Sequence, residues 1–176
     1  MLAYIFVLLA VAVRFLPHPW MFTPVVGSLL FFGARGSRRW LWIPLALLAA
    51  SDVVLTKLVY AFPFGWDYLV TWAWYGAILW LGTNLRDNAK PLRVVAAALA
   101  SSVSFFLLSN FTTWAYWNMY PKNWKGLEMA YVAGMPFFRH AVEGDLLFTV
   151  AMFATPVALK WFSGAYGGES GRSAAA

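Results

Sequence analysis

Long apolar runs separated by short polar connections dominate the chain. Six runs can be drawn, at residues 2–16, 21–34, 40–61, 67–85, 92–117 and 142–162. Most approach or reach the roughly 20 residues that a helix needs to cross about 30 Å of hydrocarbon. The second rises only about 21 Å, so it is a short span or half of a re-entrant hairpin with the first. The pattern predicts an all-α polytopic membrane bundle of about six transmembrane helices, forming a single domain over residues 1–163.

Composition supports a lipid bilayer as the environment of this chain. Hydrophobic residues make up 62% of it, charged residues 11%, and the mean hydropathy is +0.65. Residues 164–176 are instead rich in Gly, Ser and Ala, which predicts a polar, disordered tail. The absence of cysteine excludes disulfides, thiolate metal sites and cysteine nucleophiles.

The positive charges are concentrated in short connections. Residues 35–39, 86–93 and 160–176 hold eight Lys/Arg and two acids, whereas the rest of the chain holds five of each. This distribution follows the positive-inside rule and argues against a nucleic-acid partner despite the net charge of +6. It predicts a multi-pass protein of the bacterial inner (cytoplasmic) membrane with both termini in the cytoplasm.

Residues 110–145 form the most unusual stretch of the chain. They combine many aromatic residues, two prolines and an Arg-His pair, and the charge bias puts them on the outer side. The sequence predicts a long, irregular outer loop there, with a short amphipathic helix at 124–134 and the last helix starting at 142. Such a loop is a candidate lid or binding site. Its candidate ligand-binding residues are Asn110, Trp114, Tyr120, Arg139, His140 and Asp145.

Simpler interpretations of these residues stay open. Asn110 could cap a helix, and Asp145 could lie near the positive N-terminal end of the last helix. Arg139 could pair with Glu143 or Asp145, or bind an anionic ligand. Most other aromatic residues are expected to form interfacial belts.

Three further polar residues are candidates for substrate binding. Asp52 interrupts an apolar helix, where a carboxylate usually faces a cavity or a charged partner such as Arg14 or Lys57. Arg14 ends the first helix, where it could bind substrate, lock a loop or simply extend to the interface. His18 stands between two prolines, in a restrained backbone.

Enzyme motifs are not found in the sequence. There is no HExxH, GxSxG, P-loop or CxxC pattern, and no spacing supports a metal site. A membrane-embedded enzyme that uses Asp52 or Asp145 as a base is the least favoured interpretation. The fifth run carries small residues four apart, Ala96/Ala100 and Ala97/Ser101, which favours internal helix packing over a docking face.

Several segments together resemble a bacterial family of uncharacterised small membrane proteins. They are RFLPHPWMFTPV near the start, Ser51-Asp52, SNF at 109–111 and YPKNWKGLEMAYVAGMPFFRHAVEGDLLF from Tyr120. The family is in turn similar to the substrate-binding S-components of energy-coupling-factor vitamin transporters. That likeness implies six helices, cytoplasmic termini, and a vitamin or metal ion bound at the outer side under connecting loops.

One feature departs from the S-component pattern. Small residues four apart on the first helix, which serve docking to an energising module, are missing, because Val7, Arg14 and Leu16 occupy those positions. Cobalamin is one candidate ligand, with His18 or His140 in place of a cysteine ligand to cobalt.

We therefore expect a membrane protein, not an enzyme, that binds a vitamin-like small molecule at its outer face; import of this molecule is left open. The alternative is a structural or assembly subunit of a larger membrane complex, with membrane partner subunits. The sequence names no cofactor.

Overall fold

The computed structural model describes residues 1–17 and 21–173, with side chains described as far as 163. Within these residues the protein is all-helical and has no β-strand, which confirms the predicted fold class. A 3₁₀ turn, Arg38–Trp40, precedes the helix Trp42–Val54, and a π-helical turn, Leu55–Val59, continues that helix. The helices are α1 (Leu2–Val13), α2 (Val25–Arg35), α3 (Trp42–Val54), α4 (Asp67–Thr83), α5 (Pro91–Tyr116) and α6 (Trp124–Ser173).

Three of the described helical segments are long and apolar enough to cross a membrane. They are Arg38–Val59, Pro91–Tyr116 and Trp124–Ser163, with mean hydropathies of 1.7, 1.8 and 1.5. These segments support membrane association. The number of helices that cross, the side of each terminus and the division at residue 163 stay predictions.

The short helix α2 is the centre of the bundle. Its residues 25–34 are all buried, and it contacts α1, α4, α5 and α6. Eleven residues rise only about 16 Å, so α2 is about half as long as the bilayer core is thick. Its neighbours enclose it, so α2 packs against protein on every side.

Glycine lets α2 and α4 cross at close range. A Cβ atom on Gly33 would lie 2.8 Å from the Cα of Gly82, and a Cβ on Gly82 would lie 3.0 Å from the Cα of Gly33. Real Cβ atoms do not approach so closely, so either position excludes a side chain. Small residues at such crossings allow the backbone contact that packs helices in membranes.

The prediction of a long outer loop at 110–145 is wrong. Helix α5 continues to Tyr116 and α6 already begins at Trp124, so the connection is only residues 117–123. The residues predicted as a separate amphipathic helix form the first turns of α6. Pro136 lies inside this helix.

Packing explains why α6 extends through this aromatic stretch. Phe106 of α5 contacts the rings of Phe138 and Tyr131 of α6, at centroid distances of 4.6 and 5.6 Å. The Tyr131 hydroxyl donates a hydrogen bond of 2.9 Å to the Leu107 carbonyl. The aromatic residues that suggested a lid therefore bind one helix to the next. Pro136 is tolerated, since a packed membrane helix compensates for one missing hydrogen bond.

Candidate functional site

A cavity of about 250 Å³ lies between α5 and α6. Its walls are mostly apolar and carry four phenylalanines, Phe105, Phe106, Phe137 and Phe138, together with Met21 from the α1–α2 connection. Small-molecule sites in proteins are typically concave, apolar and equipped with a few placed polar groups. The cavity has that character, and its size suits a small organic molecule.

Asn110 supplies an amide at the cavity wall. It lies on α5 and faces Gly134 of α6, where a Cβ would lie 2.7 Å from the Asn110 Nδ2 atom. Nδ2 donates a hydrogen bond of 2.8 Å to the Phe106 carbonyl of its own helix. This bond orients the amide across α5 and leaves the Oδ1 atom facing Gly134. Among the sequence candidates that the structure describes, Asn110 alone lines the cavity.

Asp145 lies next to the opposite end of the cavity. The Ser102 hydroxyl lines the cavity and lies 2.6 Å from the Asp145 Oδ2 atom. Ala141, one helical turn before Asp145, also lines it. The Asp145 carboxyl group is buried at 7% exposure. A buried carboxyl group of this kind needs a hydrogen-bond donor, a counter-charge or a proton.

The Ser102 hydroxyl cannot satisfy all its neighbours at once. It is also 3.1 Å from the Ala98 carbonyl, and a hydroxyl has a single proton to donate. Either Ser102 donates to an ionised Asp145, or a protonated Asp145 donates to Ser102 and Ser102 donates to Ala98. The Thr149 hydroxyl, one turn further along α6, is buried without a hydrogen-bond partner in the described part of the chain. Thr149 does not line the cavity, so the polar groups at this end are those of Ser102 and Asp145.

Arg14 and Asp52 meet in a separate cluster. Their side chains form an ion pair, and Arg14 also donates to the Ser51 hydroxyl at 2.5 Å. The second carboxylate oxygen of Asp52 accepts a hydrogen bond of 3.0 Å from the Trp72 indole. Of the partners that the sequence proposed for Asp52, the structure selects Arg14, and Lys57 is exposed.

This cluster connects α1, α3 and α4 and has no lining residue in common with the cavity. Both oxygens of Asp52 are used within the protein. The arrangement favours the structural interpretation of Arg14 and Asp52 over a direct role in ligand binding.

Arg139, His140 and Glu143 lie on the outward side of α6. The Arg139 Nε atom is 2.9 Å from the Glu143 carboxylate, one helical turn away, and the two side chains are 82% and 49% exposed. The His140 Nδ1 atom lies 3.1 Å from the Pro136 carbonyl. The sequence offered Glu143 as one partner of Arg139, and the structure shows that pair. None of these three side chains lines the cavity.

The remaining candidates belong to the α5–α6 connection or lie outside the described residues. The Trp114 indole donates a hydrogen bond of 2.9 Å to the Pro121 carbonyl, and Lys122 donates a hydrogen bond to the Trp114 carbonyl. Trp114 therefore stabilises the turn. Tyr120 lies within this turn. His18 is not among the residues that the structure describes.

Several cavity residues were not singled out by the sequence. Ser102 was part of a stretch interpreted as a packing face, and Phe105, Phe137 and Gly134 gave no local signal. One signal was available: Ser101 and Ser102 interrupt an apolar helix, where a hydroxyl pair requires partners. The packing interpretation holds for Ala97 and Ser101, which are buried, whereas Ala96 and Ala100 are exposed.

The fold and the cavity define an all-helical protein with membrane-length helices around a short central one. Residues 1–165 match a family of unknown function, DUF6580, so the chain belongs to that family. This agrees with the resemblance to an uncharacterised family. No curated protein matches the chain, and no solved structure matches it. The similarity to S-components stays a prediction.

Proposed function

We propose that this protein binds a small, largely apolar molecule with a polar group in the cavity between α5 and α6. The observation that carries the proposal is the cavity itself, whose phenylalanine walls combine with an amide at Asn110 and a hydroxyl–carboxyl pair at Ser102 and Asp145. Vitamin-like molecules, with an apolar ring and a few polar groups, match these walls.

The same proposal includes the location and direction of binding. The protein lies in the bacterial inner membrane with both termini in the cytoplasm, and the ligand enters from the outer side. Charge counts support this orientation. Import is the further step of the proposal, and the α5–α6 interface, in place of a loop lid, is the element that would open.

A ligand screen with a cavity-filling variant tests binding. Purified protein is screened by thermal shift and native mass spectrometry against vitamins and related ring compounds. Ala141→Leu, which inserts a side chain into the cavity, should abolish any stabilisation. Ala133→Leu adds the same side chain at an exposed position of α6 and should preserve it. Equal stabilisation of both variants, or none by any compound for the wild-type protein, would count against the proposal.

A second function, assembly into a larger membrane complex, is favoured by the outward ion pair of α6. Arg139 and Glu143 share the exposed surface of this helix with Met135 and Leu147, each 58% exposed. A charged pair among the exposed apolar residues of a membrane helix is costly unless a partner or water covers it. Copurification in mild detergent tests this alternative, because Arg139→Leu should release a bound subunit. A protein that copurifies with nothing would contradict it.

A further inference from the structure

A second, smaller cavity lies between α4 and α5. It encloses about 90 Å³. About 10–15 Å³ of such space suffices for one water molecule, so the cavity has room for several waters or an ion. Its polar lining consists of one carboxylate, four hydroxyls and one indole, from Asp67, Thr71, Ser109, Thr112, Thr113 and Trp74.

Asp67 lines this cavity, and one of its carboxylate oxygens is unsatisfied. Asp67 is the first residue of α4, and its Oδ1 atom is buried with no hydrogen-bond partner among the described residues. An unpaired buried carboxylate oxygen is costly. The cost is removed if the cavity holds a cation or a hydrogen-bond donor.

The other polar groups of the lining offer acceptors. The Thr112 hydroxyl donates to the Leu108 carbonyl at 2.7 Å, and the Thr71 hydroxyl makes a longer contact of 3.4 Å with the Asp67 carbonyl. Each proton is directed to a helix carbonyl, so the oxygen lone pairs stay available. The Trp74 indole, the N–H donor in the lining, donates to Ser104 at 3.0 Å. A carboxylate among hydroxyl oxygens whose protons point to helix carbonyls, as in Thr112 and Thr71, complements a positive charge.

We propose that this cavity is a binding site for a monovalent cation of about the size of sodium. The Asp67 carboxylate would bind the ion with the hydroxyl oxygens of Thr112, Thr71 and Ser109. One carboxylate balances one positive charge. No cluster of three or more His, Cys, Asp or Glu occurs in the described part of the chain, so the donor set differs from that of a transition-metal site. Hard oxygen donors suit an alkali cation.

Gly65 in the α3–α4 connection and Tyr116 at the end of α5 lie against the Asp67 carboxylate. Gly65 is buried, and a Cβ there would lie 2.5 Å from the Tyr116 ring and overlap the Asp67 Oδ1 atom. The missing side chain therefore lets the carboxylate and the aromatic ring approach each other. A methyl group at this position would displace the carboxylate oxygen that we assign to the ion.

Cation and ligand binding should influence each other. Phe105 and Ser109 line both cavities, on the two sides of α5. An ion that fixes Ser109 would therefore change the wall of the larger cavity. This linkage rests on the proposed ligand site, whereas the cation site itself does not.

Thermal unfolding in different chloride salts tests the site without any organic ligand. Sodium chloride replaces choline chloride at constant ionic strength, so that the effect of sodium binding is separated from the screening of charges by salt. Mass action predicts a saturable rise in Tm of about 3–5 °C in sodium. Asp67→Asn should abolish the rise, and Asp87→Asn, which removes an exposed acid in the α4–α5 connection, should preserve it. Lithium and potassium show which ionic radius is preferred.

Two results would overturn the site. An equal Tm in choline and in every alkali chloride would mean that the cavity holds only water. A rise that survives Asp67→Asn would place the ion elsewhere. If Asp67→Asn does not fold, Thr112→Val and Gly65→Ala answer the same question, and each should raise the sodium midpoint at least fivefold. Loss of ligand binding in Ala141→Leu with an unchanged sodium response would distinguish the two sites.

Discussion

The guanidinium of Arg14 and the carboxylate of Asp52 form a largely buried ion pair that joins the end of α1 to α3. Asp52 is only 4% exposed, and its other oxygen is hydrogen-bonded to Trp72. The pair therefore has the geometry of an internal cross-link. It accounts for two residues that the sequence presented as candidates for substrate binding.

Removal of one member of this pair should destabilise the bundle strongly. Asp52→Asn leaves the Arg14 charge buried without its partner, which costs about 3 kcal/mol or more. Unfolding in mixed detergent micelles measures the free energy, with Asp87→Asn as the control. The double variant Arg14→Met/Asp52→Leu should regain most of the lost stability. A single variant as stable as the wild-type protein would contradict this account.

The close crossing of α2 and α4 predicts opposite effects for two glycines of one helix. Gly82→Ala should destabilise the protein by at least 2 kcal/mol, because its Cβ would lie 2.6 Å from the Leu30 carbonyl oxygen. Gly76→Ala should stabilise by about 0.5–1 kcal/mol, since nothing lies within 4 Å of its Cβ and alanine favours helix. The same unfolding measurement checks both. Similar effects at the two positions would mean that the helices do not cross there.

The continuous helix α6 predicts slow amide hydrogen exchange over residues 127–141, whose N–H groups have backbone acceptors. Backbone hydrogen bonds protect a packed helix, whereas residues 117–123 form a turn and should exchange fast. Exchange measured by mass spectrometry on peptides from the two segments distinguishes them. Fast exchange across all of 117–141 would restore the loop that the sequence suggested. Pro136 has no amide proton and is excluded from the comparison.

Most helices could be predicted from hydropathy alone. The fifth apolar run was expected at 92–117 and α5 spans Pro91–Tyr116, while α4 begins at Asp67 as expected. These limits are set locally, by the length of each apolar run and by charges that interrupt it. The loop prediction for residues 110–145 was wrong because proline and aromatic residues favour loops in water but are tolerated inside packed membrane helices.

The candidate site could be predicted only in part. Asn110 and Asp145 were identified as polar residues of the unusual stretch 110–145. The residues around them were not predicted from the sequence. Ser102 and Asp145 lie 43 residues apart and meet only when α5 packs against α6. Arg139 and His140 were conspicuous for the same reason as Asn110, yet they lie outward. Which side of a helix faces the cavity depends on tertiary packing.

The orientation in the membrane is the prediction that most affects the proposed function. The chain has no cysteine, so a single introduced thiol reports its own position without further changes. Asn118→Cys, in the α5–α6 connection, should react with a membrane-impermeant maleimide in intact cells. Ser37→Cys, in the basic connection before α3, should react only after permeabilisation. Both positions are exposed, so a difference in labelling reflects the side of the membrane. The reverse pattern would put the α5–α6 connection in the cytoplasm, and ligand capture from outside would then be wrong.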